Sequence, residues 1–117
     1  MPGEPQDDCL FCKIVEGHVP ATIVRETETT VAFRDINPQA PTHVLVIPRA
    51  HYENAAALAA AEPDLAADVL REAKAVADED KLDSYRVVFN TGPGAGQTVF
   101  HVHAHVLGGR GLQWPPG

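Results

Sequence analysis

The sequence predicts an α+β fold, a mainly antiparallel five-stranded sheet with one long helix and one or two short ones. Two short β-branched segments flank a polar turn early in the chain, and a nearly continuous apolar run follows them. Beyond Pro63 the apolar residues recur at offsets of three to five, and near the C-terminus strict alternation returns. Strands, one long helix and strands again is the order of a helix segregated onto an antiparallel sheet.

Taken in order, residues 1–8 carry two prolines and three acids and predict a loose, flexible leader, leaving 9–117 as a single domain. Residues 10–16 predict a short helix stopped by Gly17 and Pro20. Ile23–Glu26 and Thr30–Arg34, with β-branched residues around a polar turn at 27–29, predict a β-hairpin. The run from Asn37 through Pro38, Gln39 and Ala40 to Pro41 breaks any regular element. Residues 43–48, with Val44, Leu45, Val46 and Ile47 in succession, suit a strand buried on both faces.

Ala55–Ala61 predicts a second short helix. Leu65, Val69, Leu70, Ala73, Val76 and Ala77 form the stripe of a long amphipathic helix, with Pro63 near its start and Glu62 and Asp64 in its first turn. Residues 85–90 return to strand and 90–96 make a glycine-rich loop. Residues 99–107 form a further strand, ended by Gly108 and Gly109. The closing Trp114, Pro115, Pro116 and Gly117 continue neither helix nor central strand.

Length and composition narrow the function. The chain has 117 residues, 44% hydrophobic and 21% charged, as in an ordinary globular domain. Its 9 Lys+Arg against 16 Asp+Glu give a formal charge of -7, which argues against nucleic acid or anionic lipid as partner. A small phosphorylated ligand stays compatible with that charge, because a site can be locally favourable. The N-terminus has neither a basic region nor an apolar one of the signal-peptide kind. The longest apolar run, Ala55–Ala61, falls far short of the roughly 20 residues of a membrane span. A cytoplasmic protein with no membrane partner is expected. Cys9 and Cys12 are the two cysteines, and in a reducing compartment their Cys-x-x-Cys spacing points to a metal or redox site.

The most informative stretch is the alternation of His101, His103 and His105 with Val102, Ala104 and Val106. On a strand the three imidazoles share one face, roughly 6 to 7 Å apart, while the apolar residues face the core. Two chemistries compete. The imidazoles could ligate a metal that activates water, as in zinc hydrolases. Alternatively, one could be a nucleophile, largely neutral near pH 7. The preceding loop, 90–98, can turn successive backbone N–H groups toward an anion. It lacks the Gly-Lys-Ser/Thr ending of a P-loop and leads into a strand, not a helix. Feeding into the histidine row, it favours phosphate chemistry with a histidine nucleophile.

Residues 101–107 resemble the His-φ-His-φ-His-φ-φ signature of the histidine triad family. Residues 33–43, 96–100, 108–110 and 114–117 resemble its nucleotide-binding branch, so the similarity covers nearly everything from Cys9 onward. The resemblance implies the histidine-triad fold in a homodimer. It also implies purine nucleoside monophosphates as ligands and hydrolysis of phosphoramidates such as adenosine 5′-monophosphoramidate.

By that resemblance His103 is the nucleophile, attacking the α-phosphorus to form a nucleotidyl-imidazole that water then opens. His105 contacts the phosphate, His101 supports the row, and His43 supports the nucleophile from a neighbouring strand. Thr98 stands where the family usually has serine, and its hydroxyl donates to the departing amine. Asp35 accepts from both ribose hydroxyls, Ile36 covers the base, and Asn90 touches the sugar or phosphate side. Gly96 and Gln97 supply backbone N–H groups to the phosphate. Read from the residues alone, Asp35 merely organises the turn at Asn37 and Pro38, and His18 is a solvated loop histidine.

No metal is expected in the chemistry. A structural zinc is a separate expectation, held by Cys9, Cys12, His51 and His101, as in some bacterial relatives, and tying the first helix to the sheet. Three other readings stay open: a purine-nucleotide-binding regulatory or scaffold protein, a dinucleoside polyphosphate hydrolase, and a zinc hydrolase with His103 on the metal. The family arrangement also implies a C2 dimer whose C-terminal segment reaches toward the partner's site.

Overall fold

Side chains alternate between the two faces along each central strand, and this alternation decides which of them meet at the site. The computed structural model describes residues 3–117. Helix α1 (Leu10–Val15) precedes the hairpin β1 (Ile23–Glu26) and β2 (Thr30–Arg34), then strand β3 (Thr42–Pro48). Helices α2 (Ala55–Ala61) and α3 (Pro63–Glu79) follow, then β4 (Tyr85–Val88), a single 3₁₀ turn at Pro93–Ala95, and β5 (Ala104–Gly108). The five strands form one sheet in the order β1-β2-β3-β5-β4, with every neighbouring pair antiparallel. The α+β expectation holds.

The hairpin turn is fixed by Thr27, whose Oγ1 accepts the backbone N–H groups of Thr29 at 3.2 Å and Thr30 at 2.9 Å. Central strand β3 is buried at every residue, as its apolar run predicts. Its register sets Val44 opposite Val106 and Val46 opposite Ala104. These residues and Val102 pack with Val69, Ala73 and Val76 of α3 in one core cluster. The alternate residues Leu45 and Ile47 pack with Val31, Phe33, Phe11 and Ile14 in a second cluster, so α1 covers the opposite face. His43 on β3 and His105 on β5 share the parity of Leu45 and therefore project on the α1 side.

Pro63 opens α3 in its first turn, and the helix ends on a left-handed residue, Lys81, with φ 57°. There Leu82 N–H closes back on the Ala77 carbonyl at 2.9 Å. Arg34 grips Asp80 through two nitrogens at 2.8 and 3.1 Å, and Thr42 donates to the same carboxylate at 2.7 Å. The Arg34 guanidinium holds the Asp80 carboxyl below its usual range. This network pins the end of α3 to β2 and β3.

Two strand boundaries differ from the sequence reading. The strand expected over 99–107 begins only at Ala104, and β4 stops at Val88 instead of running to Asn90. The register of β3 with β5 ends at the Val46–Ala104 pair, and upstream of it Val102 N–H bonds the Tyr52 carbonyl at 2.7 Å. His101 and His103 thus lie on an irregular arm leading into β5. The alternation of side chains survives there, because Val102 still enters the helix-side core.

The leader is less loose than expected. Gly3 exchanges both backbone hydrogen bonds with His51, at 3.0 and 3.1 Å, and Gln6 N–H reaches Cys12 Sγ at 3.4 Å. Met1 and Pro2 lie outside the described residues. No helix among the described residues is long and apolar enough to cross a membrane.

Candidate active site and metal centre

Cys9 caps α1, its Sγ accepting Cys12 N–H at 3.3 Å, so the first helical turn brings both sulfurs to one point. His101 and His51 complete the cluster. Nδ1 of His101 lies 3.4 Å from Cys9 Sγ and 3.5 Å from Cys12 Sγ, while Nδ1 of His51 lies 3.4 Å from Cys12 Sγ and 3.3 Å from Nδ1 of His101. A tetrahedral zinc about 2.3 Å from sulfur and about 2.05 Å from nitrogen sets S and N ligands about 3.5 Å apart and two nitrogens about 3.3 Å apart. Four of the six edges among these donors therefore already have the lengths of a closed zinc site, and all four donors lie within 4.8 Å of one another.

Tautomers agree with that fit. Nε2 of His101 donates to the Pro48 carbonyl at 2.8 Å, which leaves Nδ1 as a lone pair facing the sulfurs. Burial lowers the pKa of the His101 imidazole to about 4 and also lowers that of His51, keeping both rings neutral and able to ligate. Burial raises the Cys12 thiol to about 11, so a bound cation is what would favour the thiolate. The chemistry of the donor set and its spacing both suit a structural zinc.

The three triad histidines serve three different neighbourhoods. His103 is 9% exposed, and its Nδ1 donates to the His101 carbonyl at 2.8 Å. Its Nε2 therefore keeps the lone pair, and burial lowers the ring's pKa below the usual value. His105 pairs with His43, Nδ1 to Nε2 at 2.9 Å. The direction of that bond follows from Gln39, whose backbone N–H donates to His43 Nδ1 at 3.0 Å. Neutral His43 must then carry its proton on Nε2 and donate to His105 Nδ1. His105 in turn carries its own proton on Nε2, a buried atom with no partner among the described residues. Burial, with smaller contributions from His103 and His43, lowers the His105 pKa to about 4. The result is an orphaned N–H donor beside an imidazole lone pair.

Both groups line a cavity of about 350 Å³. Phe11, Ile14, Phe33 and Leu45 form its apolar walls, and Asp35, Thr98, His103 and His105 its polar end. Ile36 stands fully exposed at the rim. Asp35 performs the turn role read from its residue type, since Oδ1 accepts Asn37 N–H at 2.8 Å, while Oδ2 faces His43 Nε2 at 3.5 Å. His43 reaches His105 instead of the expected nucleophile.

The backbone donors expected of Gly96 and Gln97 are already used. Gly96 N–H bonds the Pro93 carbonyl at 3.0 Å and Gln97 N–H the Gly92 carbonyl at 3.1 Å. What Gln97 contributes is a buried side chain that ties the loop to Glu53 O, Val99 O and Gly92 N–H. Gly96, in contrast, lines the cavity. Asn90, half-buried at the start of this loop, has Nδ2 4.0 Å from where a Gly96 Cβ would stand.

Two residues escaped the sequence reading. The Phe11 ring stands edge-on to His103 and His101, with centroids 5.0 and 6.0 Å away, and walls the cavity from α1. Gln39 orients the His43 ring through its backbone alone. The zinc-hydrolase alternative with His103 on the metal does not match this geometry. Among the described residues, the clusters able to hold a metal are Cys9-Cys12-His51-His101 and Asp35-His43-His105.

Fold and site together define an antiparallel α+β protein with alternating histidines against a small-molecule cavity. The chain belongs to the HIT domain family, which matches residues 16–112. A 14 kDa zinc-binding protein of Zea mays is 48% identical over 112 residues, covering 92% of this chain and 87% of that protein. A HIT family hydrolase from Legionella pneumophila superposes with a TM-score of 0.90 at 48% identity, covering 94% of this chain and all of the other. A histidine triad nucleotide-binding protein from Candida albicans gives 0.77 at 33% identity, with 94% and 85% covered.

Proposed function

We propose that this protein is a hydrolase of purine nucleoside 5′-phosphoramidates that works through a nucleotidyl-histidine intermediate. The observation that carries this reading is the His103 ring, whose Nδ1–H is held by the His101 carbonyl while its Nε2 lone pair remains for attack. In the first step Nε2 bonds the α-phosphorus and the P–N bond breaks. The departing nitrogen leaves as an amine on taking a proton through the exposed Thr98 hydroxyl. His105 Nε2–H donates to a phosphoryl oxygen as charge gathers there. Water then cleaves the imidazole–phosphorus bond, releasing the nucleoside monophosphate and regenerating neutral His103. The apolar walls suit a purine base, and Asp35 at the polar end suits the ribose hydroxyls. Cys9, Cys12, His51 and His101 would hold a zinc that, when bound, would stiffen the chain behind His103.

A homodimer is part of this reading. Trp114 is 82% exposed, and β4 is an edge strand with Tyr85 facing solvent, both surfaces that a second copy would cover. Sedimentation at micromolar concentration should give a dimer, and a monomer there removes that part.

The test of function is turnover of a fluorogenic adenosine phosphoramidate by wild type and His103→Gly. Wild type should turn over, and the variant should lose about a thousandfold or more while still binding AMP. A loss within about tenfold overturns the nucleophile. Turnover of dinucleoside polyphosphates alone, or nucleotide binding with no turnover, overturns the phosphoramidase reading.

A further inference from the structure

A second cavity, of about 360 Å³, adjoins the first, and Leu10, Thr98 and Val99 line both. The shared wall contains the hydroxyl that the proposed reaction places beside the departing nitrogen. In an in-line displacement the nucleophile and leaving group stand on opposite sides of phosphorus. With His103 attacking from the first cavity, a substituent on that nitrogen would pass Thr98 toward the second. An amine is what leaves a phosphoramidate, so the second cavity's lining would be what that amine meets.

That lining is amphipathic. Leu10, Val99 and Phe100 offer an apolar track, with Phe100 and Leu10 both partly open to solvent at 42% and 45% exposure. Asp8 places a carboxylate on the same cavity, close enough for its charge to act on His51. Neither lysine nor arginine is among the lining residues, and the chain as a whole carries a formal charge of -7. We propose that this cavity is a leaving-group subsite for aliphatic amines that end in a cation, the alkyl stem lying on Leu10, Val99 and Phe100 and the ammonium at Asp8. The inference rests on the phosphoramidase reading above and adds the class of amine.

The test compares two adenosine phosphoramidates on one five-carbon stem, the first ending in a primary ammonium and the second in a hydroxyl. For wild type the ratio of their kcat/KM values should favour the ammonium by about fivefold, the size of a partly exposed ion pair. Asp8→Asn should bring the ratio to about one, and raising salt should shrink it in wild type only. A wild-type ratio near one, or a ratio that survives Asp8→Asn, overturns the subsite. If wild type turns over neither compound, the phosphoramidase reading fails instead. Equilibrium binding of the same two compounds to both proteins then decides the subsite, and equal affinities, or a preference unchanged by Asp8→Asn, reject it.

Discussion

The His101 carbonyl accepts a 2.8 Å hydrogen bond from Nδ1 of His103, although the His101 ring belongs to the Cys/His cluster. One residue therefore anchors two centres. Its ring is completely buried and held by Pro48 and the two sulfurs, and its backbone fixes the tautomer of the imidazole that faces the cavity. A shift of the ring carries the carbonyl with it, and a lost neutral hydrogen bond costs about 1 kcal/mol and the orientation of Nε2.

Metal removal should accordingly be felt at the nucleophile. Protein purified without added metal should contain about one zinc per chain, the stoichiometry of a closed four-ligand site. Cys9→Ser with Cys12→Ser should lose it, melt at lower temperature and reduce kcat about tenfold or more, with KM for the nucleotide substrate little changed. Zinc that persists in the double variant, or its loss with melting and kcat unchanged, would sink the coupling.

The part-buried His43–His105 pair predicts a particular acid sensitivity. His105 titrates near 6.5 in the unfolded chain and near 4 in the fold. As pH falls below 6.5 the unfolded chain takes up a proton that the folded chain refuses, so stability declines through that window and levels off below about 4. Above 6.5 both states are neutral and the contribution is fully present. Urea midpoints from about pH 7 down to about 4 should fall in wild type and fall less in His105→Asn. Parallel curves for the two proteins would show that the pair does not stay neutral in the fold.

Much of this arrangement was legible in the sequence wherever a local pattern determines it. The hairpin, β3 and α3 follow from period and turn chemistry, and their observed bounds match the reading closely. The strand predicted over 99–107 is shorter in the fold because alternation of side chains persists where the ladder does not. Val102 keeps its core position while its N–H goes to Tyr52. The Cys-x-x-Cys spacing points to two members of the Cys/His cluster, and the zinc expectation adds His51 and His101, which the fold brings to them. What stayed hidden acts through groups without a side-chain signature, or through tertiary contacts. Gln39 works by its backbone N–H, and Gln97 became a buried brace only once the loop had folded against Glu53 and Val99. Phe11 carries no mark in the sequence beyond its place in the first helix, and the fold alone turns its edge to His103.

The two carboxylate oxygens of Asp35 have different neighbours. Oδ1 accepts the Asn37 N–H that shapes the turn, while Oδ2 is directed to the His43 side of the cavity. Asparagine can keep the first contact through its amide oxygen and remove only the charge. A charged acceptor makes hydrogen bonds to hydroxyls roughly twice as strong as a neutral one. Asp35→Asn should therefore weaken AMP by about tenfold and leave 2′,3′-dideoxy-AMP nearly unaffected, with the melting temperature close to wild type. Titration calorimetry with the two nucleotides checks this directly. Equal losses for both ligands, with a lowered melting temperature, would assign Asp35 to the turn alone and leave the ribose without its acceptor.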